Sequence, residues 1–351
     1  MQYRAINTRS PFFIQKATAQ LSVNCEIRLW TGGVVTNRPT AYTYLLVKEA
    51  TSGAATFEVA ELCRDYLSHN SSLSSGTAWV EIKTIDGVAA DETFTYLATE
   101  GYTTYVDGLQ SNTQTVTLPI VGLPNEIANE TRVMIPSGST GVIPYLANVP
   151  TGSVDYTLDT YSLAGASQGS SVISEYTNSE DMIRHVVVNS TMKWVELDFG
   201  GSVQTIHVDI LDCNKFEAIE LMYVNRLGMK QYFPFVLKST EQIKLKSDTF
   251  NRSTINYNSL NSGNGLHASR KRITGSKQSF TLNTDWMSEY YVKQFEELLL
   301  SEYVWLFKAG QNAIPVNVTT SNMLKKNHLN DKLINYSLDI ETASEYINNV
   351  R

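Results

Sequence analysis

Little in this sequence points to chemistry. The three cysteines, Cys25, Cys63 and Cys213, are far apart, odd in number and form no CxxC pair. That pattern argues against a disulfide framework or a thiolate zinc site, and buried free thiols are expected instead. The five histidines, His69, His185, His207, His267 and His328, never lie three or four residues apart, so no helical metal pair exists. No Walker-type loop occurs and no G-x-G-x-x-G follows a strand-like run, and no cofactor is expected. Apolar runs never approach the roughly 20 residues of a membrane span, and the N-terminus lacks a signal-peptide core. The expectation is a chain made in the cytoplasm without a membrane span. Positive charge is also short. With 28 Lys and Arg against 35 Asp and Glu, the net charge of −7 disfavours a general nucleic-acid binder.

What the chain does have is alternation. Leu21, Val23, Cys25, Ile27 and Leu29 alternate with polar neighbours, and "TGG" at 31–33 offers a turn before a second strand-like run, "AYTYLLVKE". A short exception is "FEVAELCRDYL", where Val59, Leu62, Cys63, Tyr66 and Leu67 form a helical stripe suited to plugging one end of a β-sandwich. Strands resume at "AWVEIKTIDG" and "ETFTYLATEGY". From 111 to 185 Ser, Thr, Gly, Pro and Asn dominate, which predicts a small β module or an extended connection.

A second β-rich block starts near 186. In "AIELMYVNRLGMKQYFPFV", Gly228 marks a tight turn between two strands. "EQIKLKSDTF" reads as a further strand, and 251–277 as a polar loop too long for an ordinary connection. The best helix is "DWMSEYYVKQFEELLLS", over 285–300, with Met287, Tyr291, Phe295, Leu298 and Leu299 on one side and Asp285 at its start. Near the C-terminus Ile334, Tyr336, Leu338 and Ile340 alternate with polar residues, a strand whose apolar face should pack on that helix. The predicted fold is mainly β. A β-sandwich-like domain occupies 1–110, the Ser/Thr/Gly-rich module 111–185, and an α+β domain of antiparallel sheet on one long helix 186–351.

Two patterns bear on function. Gly165, Ser167 and Gly169 spell G-x-S-x-G, but a nucleophile elbow needs a buried strand before the Ser and a helix after it. The flanks here are half-polar and rich in β-branched residues, which favours a Gly/Ser loop over a hydrolase using Ser167 with Asp181 and His185. The densest positive cluster is Arg270, Lys271, Arg272 and Lys277. It reads as a solvated loop, a contact with an acidic neighbouring subunit, or a DNA contact that the net charge opposes. A receptor- or carbohydrate-binding module is conceivable from the 19 tyrosines and five tryptophans, although most fall on strand faces where packing accounts for them. On residues alone the reading is an assembly subunit and not an enzyme.

The sequence also resembles a known family. "SPFFIQ", "CEIRLWTGG", "NRPTAYTYLL" and "FEVAELCRDYL" are similar to the N-terminal part of virion proteins from phages of Bacteroidota. "VNRLGMKQYFPF", "TEQIKLKSDTF", "GSKQSFTLNTDWMSEYYVKQFEELLLSEYVWL", "IPVNV" and "NDKLINYSLDIETASEYINNV" follow in the same order and at similar spacing. Residues 111–185 fall outside the resemblance, and Met229 stands where relatives often carry Trp. The family includes the crAss-like phages with short tails. The resemblance implies a virion protein, a tail hub subunit that forms a ring with copies of itself around the DNA-ejection conduit. Its expected partners are ring, muzzle or fibre proteins, with DNA passing nearby but not bound by sequence. A ring, collar or adaptor between portal and tail is the alternative. Arg270, Lys271, Arg272 and Lys277 would then belong to an interface loop that orders on assembly.

Overall fold

The computed structural model describes residues 4–34, 36–113, 116–117, 131–146, 153–176, 183–198, 203–212, 215–253, 255–256, 261–262, 267–308, 310–323 and 333–346. Strands dominate them, arranged in several sheets, with two short α-helices, Ala60–Tyr66 and Val292–Leu300. The predicted mainly-β fold is what the chain adopts, with a helix in its C-terminal half.

The first layer pair forms from the alternating runs. Ser22–Trp30 pairs with Tyr44–Glu49 on one side and Thr77–Ile85 on the other, within a six-stranded sheet. A three-stranded sheet of Ala54–Glu58, Phe12–Ala17 and Gln110–Ser111 faces it. Val23, Cys25, Ile27, Phe12, Ile14 and Phe57 fill the space between, whereas Leu21 precedes the strand and is exposed. Helix Ala60–Tyr66 adds Cys63 to the same core, as the stripe predicts, together with Ala60 from outside the stripe, whereas Tyr66, expected on the apolar side, is exposed. Burial pushes the Cys25 thiol up to about 12 and raises Cys63 as well. Both are inert packing groups.

The middle of the chain has its own core. A five-stranded sheet runs in the order Thr131–Pro136, Val203–Leu211, Met192–Asp198, Ser153–Ser162, Ser167–Tyr176. Thr140–Leu146 and Ile183–Asn189 pair separately, and Val133, Ile143, Tyr156, Val188, Val195 and Ile206 are buried together. The strands between 183 and 211 therefore belong with the residues before them, and the boundary expected at 185 falls inside this module. Composition shifts at 186, but pairing does not, because Val188, Val195 and Ile206 complete the core that the Ser/Thr-rich strands cannot close alone.

The C-terminal sheet has seven strands, in the order Lys230–Phe235, Ile219–Val224, Val304–Phe307, Ile314–Val318, Ser337–Thr342, Ser269–Asn283, Thr240–Asn251. Helix Val292–Leu300 lies on one face, where Phe295 and Leu298 meet Leu338 and Ile340, and the Tyr336 ring stacks on Phe295 at 4.7 Å. Ser337–Thr342 thus packs on the helix, as the alternation predicts, but the strand expected from Ile334 is interrupted at 335–336, and Ile334 pairs with Met287 instead. Helix 285–300 starts later than its periodicity suggests. Met287–Ser288 is strand paired with Leu333–Ile334, Glu289–Tyr291 is a 3₁₀ turn, and the α-helix begins at Val292. Met287 and Tyr291 enter the same core as Phe295, which reproduces helical spacing without a helix.

The N-terminal and C-terminal modules meet at the Asn225–Met229 turn. Gly228 has φ +79°, and a Cβ there would lie 2.6 Å from Thr99 Cβ and 2.8 Å from Glu100 N. Opposite it, Gly101 leaves room for the Arg226 carbonyl, which accepts a hydrogen bond from Tyr102 N at 2.9 Å. Ala5, Trp30, Trp79 and Leu97 of the N-terminal sheet bury Met229 and, from the middle module, Ile183. Around this contact sits a buried polar set. Arg64 Nε donates to Glu100 Oε1 at 2.9 Å, His69 Nε2 lies 3.6 Å from Glu100 Oε2, and the His69 ring stacks on Tyr303 at 4.3 Å. Burial alone would raise the Glu100 carboxyl; His69 and the Arg64 charge outweigh it and hold its pKa below the ordinary value. Lys230 donates to Asn70 O at 2.8 Å, to Ser72 O and to Ser75 Oγ, with its ammonium 5.1 Å from the Trp305 ring centre. Burial pushes its pKa down to about 8.

Two outcomes check this packing. Gly228→Ala should destabilise the protein by roughly 2–4 kcal/mol, from overpacking plus a left-handed backbone that now carries a Cβ, read as a loss in chemical-denaturation midpoint. Glu220 lies on the sheet face away from helix Val292–Leu300, and burial pushes its pKa from 4.5 up to about 7. Between pH 4.5 and 7 the folded state binds the extra proton, so this group's contribution to stability falls as pH rises and is constant above 7. Glu220→Gln should match the parent near pH 4.5 and be more stable by on the order of 2–3 kcal/mol at pH 8. Equal differences at both pH values would refute this assignment.

Candidate assembly surface

The strand Thr240–Asn251 is the edge of the C-terminal sheet and is exposed along all twelve residues. At about 3.3 Å per residue it spans roughly 40 Å. Its partner Ser269–Asn283 has one half in the sheet and one half outside it. Ser279–Asn283 also pair with Ser337–Glu341, whereas Ser269–Ile273 pair only with Ser247–Asn251. Arg252 N donates to Ala268 O at 2.8 Å, continuing the ladder outward. The result is a two-stranded arm that leaves the body of the protein.

Among its described residues, the 251–277 loop expected from the sequence is therefore largely strand, and 254, 257–260 and 263–266 lie outside the described residues. Arg270, Lys271, Arg272 and Lys277 all lie on Ser269–Asn283. Composition conceals this strand because "SRKRI" is polar apart from Ile273 and exposed on both faces. Ladder hydrogen bonds to the alternating "EQIKLKSDTF" hold it instead of burial. The C-terminal segment braces its root: Lys277 Nζ meets Glu341 Oε1 at 2.8 Å, Ser276 N donates to Glu345 Oε2 at 2.5 Å, and Tyr346 N donates to Ser276 O at 2.7 Å.

Residues opposite each other in an antiparallel ladder share a face. Lys246 is opposite Gly275, but Ser247 is opposite Ile273, so Thr274 is an unpaired bulge residue. One face accordingly carries Ile243, Leu245 and Ile273, with Lys271 toward the tip. The other carries Lys244, Lys246, Arg270, Arg272 and Lys277, with Asp248 and Phe250. Ile243, Leu245 and Ile273 are 50%, 51% and 40% exposed. Isolated exposed aliphatics are ordinary on protein surfaces, but three on one face of a projecting ribbon make it a candidate contact surface. From Thr240 to Asn283 the chain holds seven Lys and Arg against two Asp and Glu, inside a protein whose total is −7. Lys244 and Lys246 escaped notice in the sequence. Their spacing of two was the available signal, since it puts both on one strand face together with the cluster opposite.

The other candidate residues are scattered. Ser167 begins the strand Ser167–Tyr176, exposed beside a Leu163–Ala166 hairpin turn, with no helix behind it. His185 is opposite Pro144 on another strand, and Asp181 falls outside the described residues. Among the described residues, no group of three or more His, Cys, Asp or Glu is placed to hold a metal ion, and no helix is long and apolar enough to cross a membrane.

If the arm is an appendage, replacing 247–274 by an Asn-Gly turn across Lys246 and Gly275 should leave the body folded. The expected Tm change is below about 4 °C, equivalent to roughly 1 kcal/mol, by differential scanning calorimetry. Cooperative unfolding of the whole protein after this excision would show that the arm is part of the core instead. No family model matches the chain, and no curated protein is significantly similar to it.

Proposed function

We propose that the chain is a structural subunit of a bacteriophage tail, of the tail-hub kind, which assembles with copies of itself as a ring around the DNA-ejection conduit and is not an enzyme. The observation that carries this reading is the arm. A long, fully exposed edge strand with an apolar face is an aggregation hazard in a free monomer and is suited to capture by a neighbour. The sequence resemblance supplies the phage tail and the hub position. The same arm would serve a ring, collar or adaptor protein between portal and tail equally well, and pull-down of portal against fibre proteins separates these placements. The body supports a passive role: three packed modules locked at the Gly228 contact carry the arm as a rigid mount. The exposed setting of Ser167 and the dispersed histidines support the non-enzymatic reading.

Sedimentation of purified protein should show a concentration-dependent closed oligomer. The chain trimmed of 247–274 should sediment as a monomer with unchanged circular dichroism. Identical sedimentation of the two forms, or absence of the protein from purified particles by electron microscopy, would defeat the reading.

A further inference from the structure

Resting on that reading, we infer that the cationic face of the arm docks on the outer face of the middle five-stranded sheet of the next copy. Asp155, Asp159, Glu196 and Asp198 stand on that face, beside Asp209, which Arg132 already pairs. Asp155 and Asp159 lie on Ser153–Ser162, Glu196 and Asp198 on Met192–Asp198. Their parity is fixed by Tyr156, Val195 and Leu197, which point into the core. Asp159 is directly opposite Glu196, and Thr157 opposite Asp198. Like charges facing each other across a ladder are destabilising, and an incoming cation relieves the cost.

The two surfaces share a period. Lys244 and Lys246, Arg270 and Arg272, and Glu196 and Asp198 are each two residues apart, about 6.6 Å along a strand. Asp155 and Asp159 are separated by twice that. Beside the acids, Tyr161 and Trp194 stack at 4.7 Å, and both donate to Glu196, Tyr161 Oη at 3.1 Å and Trp194 Nε1 at 3.2 Å. Lys193 Nζ already lies 5.6 Å from the Trp194 ring centre, so the half-buried Tyr161 ring is what the pair offers to the guanidinium groups of Arg270 and Arg272 and to Phe250, which is opposite Arg270. The occupant is a second copy because the chain itself carries both complementary surfaces. The contact uses different patches on each partner, so it propagates head to tail and closes into a ring if the rotation permits.

Charge reversal tests the contact. Arg270→Glu with Arg272→Glu, and separately Asp155→Lys with Asp159→Lys, should each raise the concentration for half-assembly at least tenfold, while Tm and circular dichroism stay near the parent values. A chain carrying all four changes should recover assembly. In parallel, carbodiimide treatment of mixed ¹⁴N- and ¹⁵N-labelled parent protein should join Lys244 or Lys246 of one copy to Asp155, Asp159, Glu196 or Asp198 of another. Assembly that survives both reversals, or crosslinks leading to a different acidic surface, overturns this contact and leaves the tail-subunit reading standing. Loss of duplex DNA binding with unchanged assembly in the Arg270/Arg272 variant overturns it in favour of a nucleic-acid role. A parent chain that is monomeric at every concentration and missing from particles removes both.

Discussion

The close approach of two backbones at Gly228 and Gly101 is the constraint from which the rest of the architecture follows. Neither position tolerates a Cβ without displacing main chain. Because the Asn225–Met229 turn seats directly on Thr99 and Glu100, Met229 reaches the Trp30 and Trp79 cluster, and Lys230 reaches the carbonyls of Asn70 and Ser72. Apolar burial and the partnered Glu100 and Lys230 are thus concentrated at one seam, although Trp30 Nε1 and Thr99 Oγ1 are buried there without a hydrogen-bond partner. Close packing without slack is what transmits position across a protein interior. The C-terminal sheet is held at that seam through its first hairpin, and the arm extends from its opposite edge.

The polar groups at the seam resolve a conflict that burial creates. Glu100 gives up solvent but gains Arg64 and the approach of His69; Lys230 gives up solvent and gains three oxygens and an aromatic face. Glu100 is a buried charge paired with another, and removing Arg64 would leave it uncompensated, whereas Lys230 is a buried charge held by neutral oxygens. Such pairs add little net stability compared with apolar packing, yet they allow few alternative arrangements of the modules. Specific geometry matters for a rigid mount more than additional stability does.

How much of this was legible beforehand depends on whether burial or pairing dictated the residues. Ser22–Trp30 and Ser337–Thr342 were readable because each has one wet and one dry face. The Val59–Leu67 stripe was readable for the same reason at helical period. Ser269–Ile273 was not, since nothing about its own side chains requires a strand; only a partner ladder does. The helix start was misjudged because Met287 and Tyr291 are buried at helical spacing in strand and 3₁₀ conformation. The module boundary was misplaced because composition follows solvent exposure, whereas membership follows hydrogen bonding. The buried polar set at the seam was invisible for a simpler reason: Arg64, His69, Glu100 and Lys230 are brought together only by tertiary contact.

Thr274 illustrates how little covalent information can decide a surface. Were the arm's two strands paired without interruption, Arg270 and Arg272 would change sides and join Ile243 and Leu245, while Ile273 would move among the lysines. One unpaired residue therefore acts as a parity bit, sorting a mixed sequence into an oily side and a charged side. A length change of a single residue in one strand of the ribbon, chemically neutral in itself, would invert the distal half and scramble both.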